Sequence, residues 1–122
     1  MIIAIPVEEK NINKEVCVSF GRTPYFLIFN TQTGEEKYII NAAAESQGGA
    51  GIKAAQIVID AGATSVIIPR LGQNAADVLN SGNMKIYKSE YGSVKHNIEL
   101  LIENKLSPLT TFHAGFHGRG GF

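Results

Sequence analysis

The second half of the chain alternates between two periods. From Gly48 the apolar residues Ile52, Ala55, Val58 and Ile59 recur three and four apart, one stripe of an amphipathic helix that Gly62 stops after Asp60-Ala61. Ser65–Pro69 is then a β-branched apolar run, Asn74–Leu79 reads as helix again with Gly82 behind it, and Met84–Tyr87 reads as a short strand. Ser93 is placed to cap a last helix whose stripe is Val94, Ile98, Leu101 and Ile102, ending near Asn104. Short connections marked by Gly62 and Gly82 require parallel strands with right-handed crossovers, because a tight turn alone would reverse the chain. This alternation commits the chain to an α/β sheet.

The first half supplies strands of a different kind. Ile2–Val7 is a near-continuous apolar run, which predicts a strand buried on both faces at the centre of the sheet. Lys10–Glu15 is polar and irregular. Val16–Gly21 alternates before Thr23-Pro24 resets the backbone, and Tyr25–Asn30 runs on as an aromatic-rich strand. A turn around Gly34 leads into a third strand, Lys37–Asn41, so the two read as an antiparallel hairpin. The predicted order is β-β-β-α-β-α-β-α, a mixed five-stranded sheet with helices on its faces.

Composition bounds what such a sheet does. At 122 residues with 44% hydrophobic side chains, one domain hides roughly two-thirds of its unfolded surface and needs no disulfide or structural metal. The lone thiol, Cys17, and the lack of a basic-flanked apolar stretch at Met1–Lys10 make the cytoplasm the expected location. No apolar run approaches the roughly 20 residues of a membrane helix, so no membrane partner is expected. Eleven Lys and Arg offset eleven Asp and Glu, without the basic footprint of duplex-binding domains, so no nucleic-acid partner is expected either.

The element order is that of the ribonuclease H-like three-layer fold, and the residues narrow it. Met1-Ile-Ile-Ala-Ile-Pro-Val7, Phe20-Gly-Arg-Thr-Pro-Tyr-Phe-Leu-Ile28, Gly49-Ala-Gly-Ile-Lys-Ala-Ala-Gln56 and Leu71-Gly-Gln-Asn-Ala75 occur in series. Together they resemble the dinitrogenase iron–molybdenum cofactor biosynthesis family, which includes small stand-alone proteins and the carrier domains that hold nitrogenase cofactor precursors. The resemblance covers residues 1–106, read as a single domain. Residues 107–122 are then expected as a flexible C-terminal tail, with four glycines in its last ten residues. The resemblance implies non-catalytic binding of an iron–sulfur-type or iron–molybdenum-type cluster, or its precursor, with the proteins that donate and accept it as partners.

One departure bears on the site. The family commonly reads Ser-x-His-Phe-Gly-Arg where this chain reads Cys17-Val-Ser19-Phe-Gly-Arg22, so Ser19 stands where the resemblance implies a nitrogen ligand. In an extended segment Cys17 projects on the same side as Ser19, roughly 6–7 Å away. Its thiolate then replaces the imidazole as a soft ligand suited to iron–sulfur chemistry. The other reading of Cys17 is a small buried hydrophobe.

Further candidates lie in loops. Ser46-Gln-Gly-Gly-Ala-Gly51 leads straight into a helix, and its amides, at Gly49 and Gly51 above all, suit an anion; the alternative is a plain strand-to-helix turn. These glycines fit neither the P-loop nor the Rossmann spacing. Arg70-Leu-Gly-Gln-Asn74 follows a parallel strand at its C-terminal end, where ligand crevices of open sheets lie, although Gly72 and Asn74 serve equally as helix-entry residues. Arg22 and Arg70 suit a negatively charged ligand, or else surface ion pairs. His113 and His117 are expected as mobile extra metal ligands on the tail rather than as a helical pair, because Ala-Gly-Phe separates them. His96 lies off its helix stripe and is expected to be exposed.

Catalysis finds no support in the residues. Nucleases of this fold need clustered carboxylates with one on the first strand, and Ile2–Val7 has none; Glu8 is nearest, while Asp60 and Asp77 fall in helices. No Gly-x-Ser-x-Gly elbow occurs. The expectation is a carrier that is not an enzyme. Its crevice is built from Cys17, Ser19, Arg22, Gly49–Gly51 and Arg70–Asn74. Two alternatives stay open: a metal-independent interaction or regulatory module, and a small-anion binding protein.

Overall fold

The computed structural model describes residues 1–114. Five strands, β1 (Ile2–Val7), β2 (Tyr25–Asn30), β3 (Glu36–Ile40), β4 (Ser65–Ile68) and β5 (Lys85–Lys88), form one sheet in the order β3-β2-β1-β4-β5. Three helices, α1 (Ala50–Asp60), α2 (Gln73–Ser81) and α3 (Val94–Ile102), complete the predicted element order. β1–β2 and β2–β3 are antiparallel, whereas β1–β4 and β4–β5 are parallel, as the short helix-to-strand connections demand.

β1 is central because both of its faces are apolar. Ile3, Ile5 and Val7 join Leu27 and Ile67 beneath Val94, Ile98 and Leu101 of α3. Ala4 faces the other way, with Phe26, Ile28, Val66 and Ile68, against Ala54, Ala55 and Val58 of α1 and Ala76 and Leu79 of α2. The result is the three-layer α/β arrangement of the ribonuclease H-like fold. Proline is rare in a central strand because it removes a ladder bond. Here the β1–β4 ladder pairs only Ile3 with Ser65 and Ala4 with Val66, so Pro6 lies beyond its end.

The structure departs from the sequence reading in three places. The alternating residues Val16–Gly21, whose extension would put Cys17 and Ser19 on one side, form a loop, joined to the domain by a neighbouring bridge from Glu15 to Ser93 and by the Cys17 amide donating to the Pro6 carbonyl. A 3-10 turn at Ala42–Glu45, unforeseen, is capped by Asn41, whose side chain accepts from the Ala43 amide and donates to the carbonyls of Gly21 and Thr23. The segment expected to be a flexible tail from residue 107 is, as far as Ala114, an extended strap. Lys88 donates to Ser107, Leu109 to Ile86 and His113 to Leu71, all backbone to backbone, and Leu109 and Phe112 pack on the core. The edge of β5 needed a cover, and Leu109 and Phe112, two apolar residues in the segment expected to be flexible, provide it. Residues 115–122, His117 among them, lie outside the described residues. Among those described, no helix is long and apolar enough to cross a membrane.

Candidate functional site

Two helices begin side by side at the C-terminal end of the parallel strands. Gly49 is the N-cap of α1, with a left-handed φ of 68° that a side chain would strain, and Gly72 is the N-cap of α2. Neither supplies a capping side chain. A Cβ on Gly51 would stand 3.3 Å from the Cβ of Ala75, so the absence of a side chain there sets how closely the two first turns approach. The amides of Ala50, Gly51 and Ile52 in α1, and of Asn74 and Ala75 in α2, have no acceptor among the described residues. Two positive helix ends therefore converge on one opening.

That opening is a cleft of about 880 Å³. One wall is the loop carrying Ser19 to Arg22. Phe20 anchors it from beneath by packing on Phe26, ring centroids 5.2 Å apart, and Gly21 lets it lie against α1. A Cβ on Gly21 would meet the Gly51 nitrogen at 2.9 Å. Ser19 Oγ accepts from the Arg22 amide at 3.1 Å, and Arg22 Nη1 donates to the carbonyls of Ala44, at 3.0 Å, and Ser46. Half of the guanidinium thus fixes the end of the 3-10 turn. Its Nε and Nη2 have no acceptor among the described residues. Arg70, exposed, stands after β4 on the other wall. Neither arginine has an acidic partner among the described residues, and no Asp or Glu lines the cleft. Val18 and Ile52 line it with apolar surface that is 63% and 42% exposed.

The structure brings together Ser19, Arg22, Gly49, Gly51, Arg70, Gly72, Asn74 and His113, all lining this one cleft. It does not bring Cys17. The cysteine is 6% exposed and absent from the lining, with its Sγ 3.7 Å from the Ser19 carbonyl. The correction has a physical cause: without a strand over these residues strict alternation fails, and the bond to Pro6 draws Cys17 inward while Val18 turns out. The hydrophobe reading describes its position. His113 is held rather than mobile: its amide donates to Leu71, its carbonyl accepts from Gln73, and its ring covers Gly72. His96 is exposed on α3, across the sheet. Sequence reasoning missed Val18, Gln47 and Ile52 as lining residues, and Gly21 as the packing point. Only Gly21 carried a signal, as the glycine between an aromatic anchor and an arginine.

Among the described residues no group of three or more His, Cys, Asp or Glu side chains converges as a metal site. The Tyr38 phenol, pushed up by burial and by the Glu36 carboxylate, lies on β3 beside the α3-side core and not in the cleft.

Fold and cleft together define a small three-layer α/β domain with an arginine-lined cleft at the carboxyl ends of its parallel strands. The family model described as dinitrogenase iron-molybdenum cofactor matches residues 1–104, and the chain belongs to that family. Solved structures agree. A Thermotoga protein described as a candidate NifB protein is 32% identical, with a TM-score of 0.78, 91% of this chain and 95% of that chain covered. The apo form of the orange protein from Desulfovibrio gigas is 24% identical with a TM-score of 0.82, covering 89% of this chain and 96% of that one. A candidate dinitrogenase from Methanocaldococcus jannaschii is 22% identical with a TM-score of 0.67, covering 90% and 95%. The last two speak for the fold alone. No curated protein sequence matches the chain.

Proposed function

We propose that the cleft receives an anionic metal–sulfide cluster, or a nitrogenase cofactor precursor of that kind, as cargo, and that the protein carries it without catalysis between a donor and an acceptor protein. The observation that carries this reading is charge. In a chain of net charge zero, the described residues line the cleft with two arginines and no carboxylate, and two helix ends without capping side chains open into it. The cleft, about 880 Å³ and open to solvent, has room for a polynuclear anion. The exposed apolar surfaces of Val18 and Ile52 suit weakly hydrated sulfide better than strongly hydrated phosphate. Family membership supports the same cargo class.

Binding through charge has a measurable signature. Anaerobic titration with tetrathiomolybdate is expected to show saturable binding that weakens with added salt, since screening reaches about 8 Å at physiological ionic strength. Phosphate at the same concentration is expected not to compete. Arg70→Gln is expected to lose about tenfold in affinity, the scale of one charge-assisted hydrogen bond of about 1.5 kcal/mol. Arg22→Gln loses at least as much, because it also releases the carbonyls of Ala44 and Ser46. Salt-independent binding, or binding indifferent to Arg70, contradicts the reading.

A further inference from the structure

The strap, described as far as Ala114, does more than cover β5. Near Ala114 it is bonded at the cleft itself: the His113 amide donates to the Leu71 carbonyl at 3.2 Å, and its carbonyl accepts from the Gln73 amide at 2.9 Å. These two bonds fix the backbone of His113 beside the first turn of α2. The ring lies over Gly72, where a Cβ would stand 3.3 Å from Cε1 and under 4 Å from both ring nitrogens. Nδ1 is 3.2 Å from the Ala114 carbonyl, an acceptor that the Nδ1–H tautomer satisfies. Nε2 then carries the lone pair and has no partner among the described residues. An imidazole whose other nitrogen donates to a backbone carbonyl is the arrangement that orients histidines toward metals.

We infer that His113 Nε2 is a direct metal ligand to the cargo, preorganised by the strap. The inference rests on the carrier reading above and adds a bond to it. A bare metal ion finds too few ligands among the described residues, but a metal–sulfide cluster brings its own and needs only one open or exchangeable position. The step is a ligand exchange: the Nε2 lone pair forms an iron–nitrogen bond, and a terminal thiolate leaves with its electron pair, so no redox partner is required. The arginines and helix ends hold the anion by charge, and His113 fixes its orientation.

Two probes separate these roles. Tetrathiomolybdate has no exchangeable ligand and reports charge alone; a cubane iron–sulfide cluster capped by exchangeable thiolates reports charge plus coordination. His113→Ala is expected to weaken retention of the iron cluster at least about tenfold more than it weakens tetrathiomolybdate binding, since even partners one shell out from a metal are worth about 10- to 100-fold. In the wild-type protein, pulsed electron resonance of the one-electron-reduced cluster is expected to show coupling to an imidazole nitrogen. That coupling vanishes in His113→Ala and returns, with retention, on adding free imidazole. Equal retention and equal coupling in both proteins overturn the inference while leaving the carrier reading intact. Parallel loss of both probes without rescue by imidazole also overturns it, assigning His113 to shape or charge. Failure of the wild-type protein to bind either probe overturns the carrier reading and this inference with it.

Discussion

Gly21 sets how closely one wall of the cleft approaches α1. Its missing side chain lets the Phe20–Arg22 loop rest on the first turn of α1, where a Cβ would stand 2.9 Å from the Gly51 nitrogen and 3.1 Å from Ala50 carbon, both backbone atoms that cannot swing away. Gly21→Ala is therefore expected to cost about 1–3 kcal/mol, the range for forcing extra volume into packed structure. It should also weaken tetrathiomolybdate binding by prising Arg22 from the helix end. Gly48→Ala is the control, because nothing lies within 4 Å of its Cβ position. Chemical denaturation of the two variants decides the point, and equal midpoints would refute the close packing. Cys17 teaches the complementary lesson at the same scale. Its chemistry invites a ligand role, yet a single bond from its amide to Pro6 places it under the loop and out of the cleft.

Among the elements, those written in side-chain period were legible and those written in backbone bonding were not. The stripes of α1 and α3, the β-branched run of β4 and the apolar run of β1 each carry their structure in residue spacing, and each lies within a residue or two of where the spacing puts it. The 3-10 turn depends on Asn41 reaching the carbonyls of Gly21 and Thr23, and the strap depends on amides meeting β5; neither contact leaves a periodic trace. The strap's own structural role is open to measurement. Leu109→Pro removes the amide that donates to Ile86 together with the side chain packed on the core, and is expected to cost about 2–4 kcal/mol. The uncovered edge of β5 is then free to pair, so the variant is also expected to self-associate at raised concentration in light scattering. An unchanged denaturation midpoint and unchanged scattering would contradict the strap's place in the domain.

For the whole molecule, the sheet topology accounts for where a ligand can go. Strand order β3-β2-β1-β4-β5 puts the entries to α1 and α2 at neighbouring positions, and the two small residues Gly51 and Ala75 let those entries meet. The sequence motifs Phe20-Gly-Arg22, Gly49-Ala-Gly51 and Leu71-Gly-Gln-Asn74 are far apart in the chain, but the fold places all three around one cleft that no carboxylate lines among the described residues. A neutral protein thereby holds one locally cationic pocket, which is the physical basis of the carrier reading. The most direct test of that claim is where the cargo sits. Crystals grown anaerobically with tetrathiomolybdate, measured at the molybdenum absorption edge, are expected to show the metal in the cleft between Arg22 and Arg70, against the first turns of α1 and α2. Molybdenum bound elsewhere on the protein, or none bound at saturating concentration, would contradict it.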